Sequence, residues 1–183
     1  MATDASRPRQ VRLGAGKIRP NPIGLGAGAV KELVALLNSD LASLYVLFHQ
    51  YRKHYWVVGG PEYSQVHDLL AAHIGEADAD ATLIAERIRV LGGVPISGPA
   101  AQQEAAYIPA EPEGILPLRQ SLENDLRAEG EIARRLREHI QTAMELGDYG
   151  TEDTLKELLT AAEDRADALA HSLERETLAT LGD

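Results

Sequence analysis

The chemistry open to this chain is set by six histidines, the absence of cysteine and a stripe of acidic residues in its second apolar-periodic segment. With no cysteine there can be no disulfide, thiolate zinc site or thiol nucleophile. Imidazole and carboxylate remain, a donor set suited to divalent iron or zinc. Within a helical bundle, paired ions are held by Glu-x-x-His motifs on facing helices. Three positions before His49, His54, His67, His73, His139 and His171 stand Val46, Tyr51, Ser64, Leu70, Leu136 and Ala168, so that motif does not occur. A metal centre inside one bundle is therefore not expected.

The stretch KHYWVVGGPEYSQVH, residues 53–67, brackets a Gly-Gly-Pro break with His54 and His67 and contains the only tryptophan, Trp56. Beyond His67, Asp78, Thr82 and Glu86 recur at four-residue steps, the spacing of one helix face. At 1.5 Å per residue His67 and Glu86 lie about 28 Å apart and cannot share an ion within one chain. Two such helices running antiparallel across a two-fold axis can bring His67 of one copy to Glu86 of the other, and the symmetry makes each such site twice. Asp68 and His73 are further candidates close by.

Those residues need long helices to carry them. Apolar residues make up 44% of the 183 and aromatics only 4%, so the core must be aliphatic, which favours packed helices. Val30, Leu33, Val34, Leu37, Leu41, Leu44, Phe48, Tyr51 and Tyr55 recur at steps of three and four and predict a helix from Ala27 to Gly59-Gly60-Pro61. A second is predicted from about Tyr63 to Leu91, with Gly92-Gly93 as its stop, and a third from about Leu116 to Leu146. A fourth is predicted from about Glu152 to Leu178. Residues 92–116 carry four prolines and predict a long crossover, with a short helix over PAAQQEAAYI. Two antiparallel pairs joined by a long middle connection give an all-α, ferritin-like four-helix bundle over residues 27–183. Residues 1–26, rich in Gly and Pro, predict a flexible arm. Arg7, Arg9, Arg12, Lys17 and Arg19 against Asp4 give the arm a net charge of +4, which leaves −14 on the rest. No apolar run approaches the roughly 20 residues needed to cross a bilayer, and the N-terminus lacks a hydrophobic leader, so a soluble cytoplasmic protein is expected.

From Lys31 to Leu178 the chain resembles the Dps family of mini-ferritins. The resemblance is carried by LNSDLASLYVLFHQYRKHYWVVGGPEYSQVH, IAERIRVLGGVP, SLENDLRAEGEI and ELGDYGTEDTL. It implies a hollow dodecamer that oxidises Fe(II), preferably with hydrogen peroxide, stores ferric mineral inside and in many members binds DNA. It also implies an iron site at the two-fold interface. Of the family's four ligand places there, His67 and Glu86 are kept, whereas Tyr55 and Thr82 stand where a His and an Asp are usual. Thr82 is a poor ligand. Tyr55 must bind as phenolate, which its ordinary pKa of about 10 disfavours for Fe(II) and which ferric iron would favour; otherwise it packs against the partner subunit. Asp78, one turn from Thr82, can supply the missing carboxylate or simply face solvent. His54, about 100° around the helix from Tyr55, is expected to be structural or exposed. Asp148 and Asp153 match acidic positions that line the family's three-fold iron pores, with Glu145 and Glu152 adding charge, although Asp148 can equally cap a helix. The arm can attract phosphates without sequence preference, remain a plain tail, or lie on an acidic neighbour. The expectation is an iron-oxidising, DNA-protecting shell. Its alternatives are a non-enzymatic DNA-compacting shell with a degenerate centre, and zinc held in the same site for structure.

Overall fold

The computed structural model describes residues 11–174, and everything structural below refers to those residues. Four long helices and one short one make up the fold: α1 (Ala27–Val57), α2 (Tyr63–Leu91), α3 (Pro99–Ala105), α4 (Leu118–Glu145) and α5 (Tyr149–Leu173). The most extensive packing is of α1 on α2 and of α4 on α5, and α3 lies against α1. This is the all-α bundle with a long crossover that the apolar periodicity predicts. The predicted end of the last helix at Leu178, and Arg7 and Arg9 of the arm, lie outside the described residues.

The helix ends follow from the residues that stand there. At Gly92 (φ 90°) the chain turns left-handed, and the N–H groups of Gly92 and Gly93 close on Arg89 and Ile88 carbonyls. At Gly147 (φ 71°) the same motif links Gly147 and Asp148 back to Met144 and Ala143. Only a residue without a Cβ takes such a φ without strain, and both stops are of the Schellman type. Gly92 has a second reason to be glycine: a Cβ there would sit 2.4 Å from the Arg19 carbonyl oxygen. The Arg19 N–H in turn donates to the Gly92 carbonyl at 3.0 Å, while Ile18 and Leu25 pack on the core. The described part of the predicted arm is thus fastened to the end of α2.

The core is aliphatic. Val30, Leu33, Val34, Leu37, Leu41, Leu44, Leu47 and Tyr51 of α1 are buried, as are Val66, Leu70, Ala77, Ala81, Ile84, Ile88 and Leu91 of α2. Each fully buried Leu contributes roughly 1.5–3 kcal/mol of transfer free energy. The buried stripe of α1 departs from expectation at one step. From Leu44 it runs through Leu47 to Tyr51, and Phe48 is left half-buried at its edge, where it meets Tyr45, His49 and the Arg52 guanidinium. On α2 the stripe includes His73, 3% exposed, with its ring edge-on to Tyr51. Burial, and then the charge of Arg165, lower the His73 pKa to about 4, so it stays a neutral core residue. It faces away from the Asp78–Glu86 stripe, which corrects its standing as a candidate ligand.

The middle of the bundle is polar. Arg165 of α5, 1% exposed, donates from Nε to Glu129 Oε1 of α4 at 2.5 Å and from Nη1 to Asp80 Oδ2 of α2 at 2.9 Å. The Tyr51 hydroxyl of α1 donates to the same Glu129 oxygen at 2.7 Å. Burial raises the Glu129 pKa despite these partners, and burial together with the Glu129 charge raises that of Tyr51 well above the phenol range. The buried carboxylates Glu129 and Asp80 are thus held by a guanidinium inside the bundle.

The crossover is tied down by side chains of α1. Asn38 binds Ile96 N–H at 2.8 Å and the Val94 carbonyl at 3.2 Å. Ser43 Oγ accepts from Tyr107 N–H at 3.0 Å, and buried Asp40 accepts from the Tyr107 hydroxyl and from His139. Farther along, His54 bridges Asp125 and the crossover residue Glu111.

Candidate metal centre

The α1–α2 turn brings three rings together. Val58 N–H closes on the His54 carbonyl, Gly60 adopts φ 106°, and Tyr63 N–H returns to the Gly60 carbonyl. This reversal sets the last turn of α1 beside the first turn of α2. Tyr55 and His67 stack with ring centres 3.9 Å apart and planes 28° apart. Tyr63, one turn before His67 on the same helix, lies 4.9 Å away at 31°. His67 is half-buried, and Trp56, next to Tyr55 in the chain, is 70% exposed with the Arg52 guanidinium 5.7 Å from its ring.

Asp78, Thr82 and Glu86 are all exposed, as the four-residue spacing requires of one outward stripe of α2. Asp68 is also exposed. The protomer therefore gathers Tyr55, Tyr63 and His67 at one end of α2 and leaves Glu86, with Asp78 and Thr82, toward the other. Among the described residues no three of His, Asp and Glu are grouped so as to hold a metal. Any centre that uses both His67 and Glu86 takes its donors from two copies.

His54 points away from this cluster toward α4 and the crossover and is 2% exposed. Its Nδ1 donates to Asp125 Oδ2 at 2.9 Å and its Nε2 to Glu111 Oε2 at 2.8 Å, which needs both nitrogens protonated. Burial alone would lower its pKa, but the bonds and charges of Asp125 and Glu111 outweigh that and raise it. The remaining carboxylate oxygens are also bound, by Gln50 at 2.8 Å and Asn124 at 2.5 Å, and Lys53 adds a further pair to Glu111. His54 is thus structural and not exposed.

Of the acidic positions near the α4–α5 turn, Asp148 is a buried cap. It accepts from Thr151 N–H at 3.2 Å and from Arg87 Nη2 of α2 at 2.5 Å. Burial raises its pKa, but the bonds from Thr151 and Arg87 more than reverse this. The cap starts α5 at Tyr149, three residues ahead of the predicted Glu152. Gly150 makes room for Arg87, since a Cβ there would come within 3.0 Å of the guanidinium. Glu152 is paired with Lys156, whereas Asp153 and Glu145 are exposed.

Tyr63 entered the sequence reading only as the start of the second helix and not as a site residue. The signal was present, because Tyr63 and His67 stand at i and i+4 in the first turns of a predicted helix, where side chains meet.

The fold is a ferritin-like four-helix bundle, with His67 at one end of α2 and Glu86 on its exposed stripe. The family described as Ferritin-like domain matches residues 34–179. A "DNA protection during starvation protein" of Halobacterium salinarum is 38% identical over 178 residues, covering 97% of this chain and 98% of the relative. A "Nutrient stress-induced DNA-binding protein" of Nostoc sp. is 35% identical over 167 residues, covering 91% and 90%. The solved structure of DpsC from Streptomyces coelicolor superposes with a TM-score of 0.90 at 29% identity, covering 92% of this chain and 99% of that one. The chain belongs to the Dps family of ferritin-like proteins. No helix among the described residues is long and apolar enough to cross a membrane.

Proposed function

We propose that the protein assembles into a Dps-type dodecameric shell, oxidises Fe(II) at centres shared between antiparallel α2 helices, and stores the ferric product, thereby protecting DNA from peroxide chemistry. The observation that carries this is the division of donors along α2: His67 is half-buried at one end and Glu86 is uncovered toward the other. A two-fold partner supplies each with what the protomer lacks. Glu86 and Asp78 bring negative charge to a divalent cation, and His67 brings a neutral nitrogen. Two Fe(II) ions each give one electron to one hydrogen peroxide. Its O–O bond breaks, and two protons complete two waters. Asp153, exposed near the start of α5, is the pore carboxylate, and Asp148 caps the helix that presents it.

The test is oxidation of Fe(II) by hydrogen peroxide without oxygen, followed by ferric absorbance. The His67→Ala/Glu86→Ala double variant is expected to be at least tenfold slower than the parent, because it removes both retained donors. Equal rates would remove this centre. A second assignment is favoured by Tyr55 and Thr82, which stand where the family's other two ligands are usual: a DNA-compacting shell whose centre does not oxidise iron, or holds zinc. A parent protein as slow as its double variant, at an uncatalysed rate, would favour it.

DNA contact is assigned to the basic arm, of which Arg12, Lys17 and Arg19 are exposed. Such contact is to phosphates and falls steeply with salt, and many copies on one shell add avidity. Removal of residues 1–16 together with Lys17→Gln and Arg19→Gln, which leaves Ile18 and the Arg19 backbone contact with the bundle in place, should abolish a low-salt gel shift. A shift that survives these changes excludes the arm.

A further inference from the structure

We propose that Tyr55 and Tyr63 are positioning residues that clamp the two faces of His67, with Tyr55 acting by its ring and not as a metal ligand. This rests on the assignment of His67 as a ligand and goes beyond it by naming what fixes the imidazole.

Two near-parallel rings cannot lie side by side over one imidazole at centre separations of 3.9 and 4.9 Å without overlapping, so the tyrosines take opposite sides. One comes from α1 and the other from α2, and the clamp therefore also fastens the two helices where the turn joins them. Among the described residues, neither His67 nitrogen has a hydrogen-bond partner. Metal-bound imidazole is normally oriented by a hydrogen bond from its second nitrogen. Here stacking takes that role, and both nitrogens stay free of bonds to the described residues.

The arrangement separates the roles of the two groups. A metal sits in the plane of the imidazole, about 2.0–2.1 Å from nitrogen. Tyr55 covers the face of that plane, so its ring is placed beside the metal position. An imidazole bound to a cation becomes electron-poor, and the negative faces of two phenol rings favour that state. The clamp thus replaces the missing histidine at position 55 with a group that strengthens the histidine that remains.

The experiment is a Co(II) titration of the purified oligomer, followed by calorimetry and visible absorbance. It needs no iron oxidation. Tyr55→Phe and Tyr63→Phe keep the ring and remove the hydroxyl, and both should bind within about twofold of the parent with an unchanged spectrum. Tyr55→Ala and Tyr63→Ala should weaken binding by roughly tenfold or more. Tyr63 is 47% exposed, so its truncation removes no core and decides the question alone if Tyr55→Ala does not fold. A loss in Tyr55→Phe as large as in Tyr55→Ala would make Tyr55 a ligand and overturn the clamp. Parent-like affinity in Tyr63→Ala would overturn it too. His67→Ala is the separate control: parent-like Co(II) binding there would sink the metal centre itself, whatever the tyrosines do.

Discussion

Replacement of Arg165 with leucine is expected to lower the unfolding free energy by about 3–5 kcal/mol, the usual consequence of removing one member of a buried charge network. Glu129, fully buried, would keep only the Tyr51 hydroxyl as a partner, and Asp80 would lose its cation. Desolvation already raises the pKa of both carboxyls, so the loss should be partly relieved by proton uptake at low pH. The measurement is thermal or urea unfolding of Arg165→Leu beside Glu129→Leu and the double variant. Because most of the single-variant loss comes from the orphaned charge, the double variant should be markedly less destabilised than the two losses added together. Additive losses, or a single-variant loss below about 1 kcal/mol, would show that the network does little for stability. The same network bears on function. Its carboxylates Glu129 and Asp80 are already held by Arg165, in keeping with the proposal that iron chemistry uses the outer face of α2.

The second large effect concerns His54 and pH. Its folded pKa is raised, so its contribution to stability is fully present below the unfolded value of about 6.5 and is lost as pH rises through the folded pKa. Asp125, whose pKa burial raises, works in the same direction, while Glu111 is held low by Lys53, Asn124 and His54 although burial opposes this. Stability is therefore expected to fall from near neutral pH upward. The segment around Glu111 should gain amide hydrogen exchange, corrected for its intrinsic pH dependence, before the helices do. His54→Leu should cost on the order of 3 kcal/mol at pH 6, since two carboxylates lose a charged donor, and should flatten the pH profile. An unchanged slope in the variant would mean that another group titrates.

Much of the fold was legible because its signals are local. The start of α1 at Ala27 and both ends of α2 follow from apolar steps of three and four and from Gly-Gly-Pro and Gly-Gly stops. Leu47 was exchanged for Phe48 because steps of three and of four from Leu44 fit the pattern equally well, and only the packing of α2 decides between them. The start of α5 was placed late because a cap is read from its partners, and Arg87 lies 61 residues from Asp148. The charged core was hidden for the same reason. Asp125, Glu129 and Arg165 stand in register with buried apolar residues, which from one helix alone reads as an interruption of the stripe. The candidate centre was legible only as residue types. His67, Asp78 and Glu86 could be named and an intersubunit arrangement proposed from the helix rise, but the stacking of Tyr55 and Tyr63 on His67 depends on how a five-residue turn folds back. No periodicity encodes that.

Glu86 and Arg87 are neighbours on one rigid helix and point about 100° apart. The first offers its carboxylate to the outer stripe, and the second grips the carboxylate that begins α5. A rotation of α2 that swung the one toward a cation would pull the other from its seat. The proposed iron-entry turn and the proposed donor Glu86 are, in this chain, two ends of a single lever.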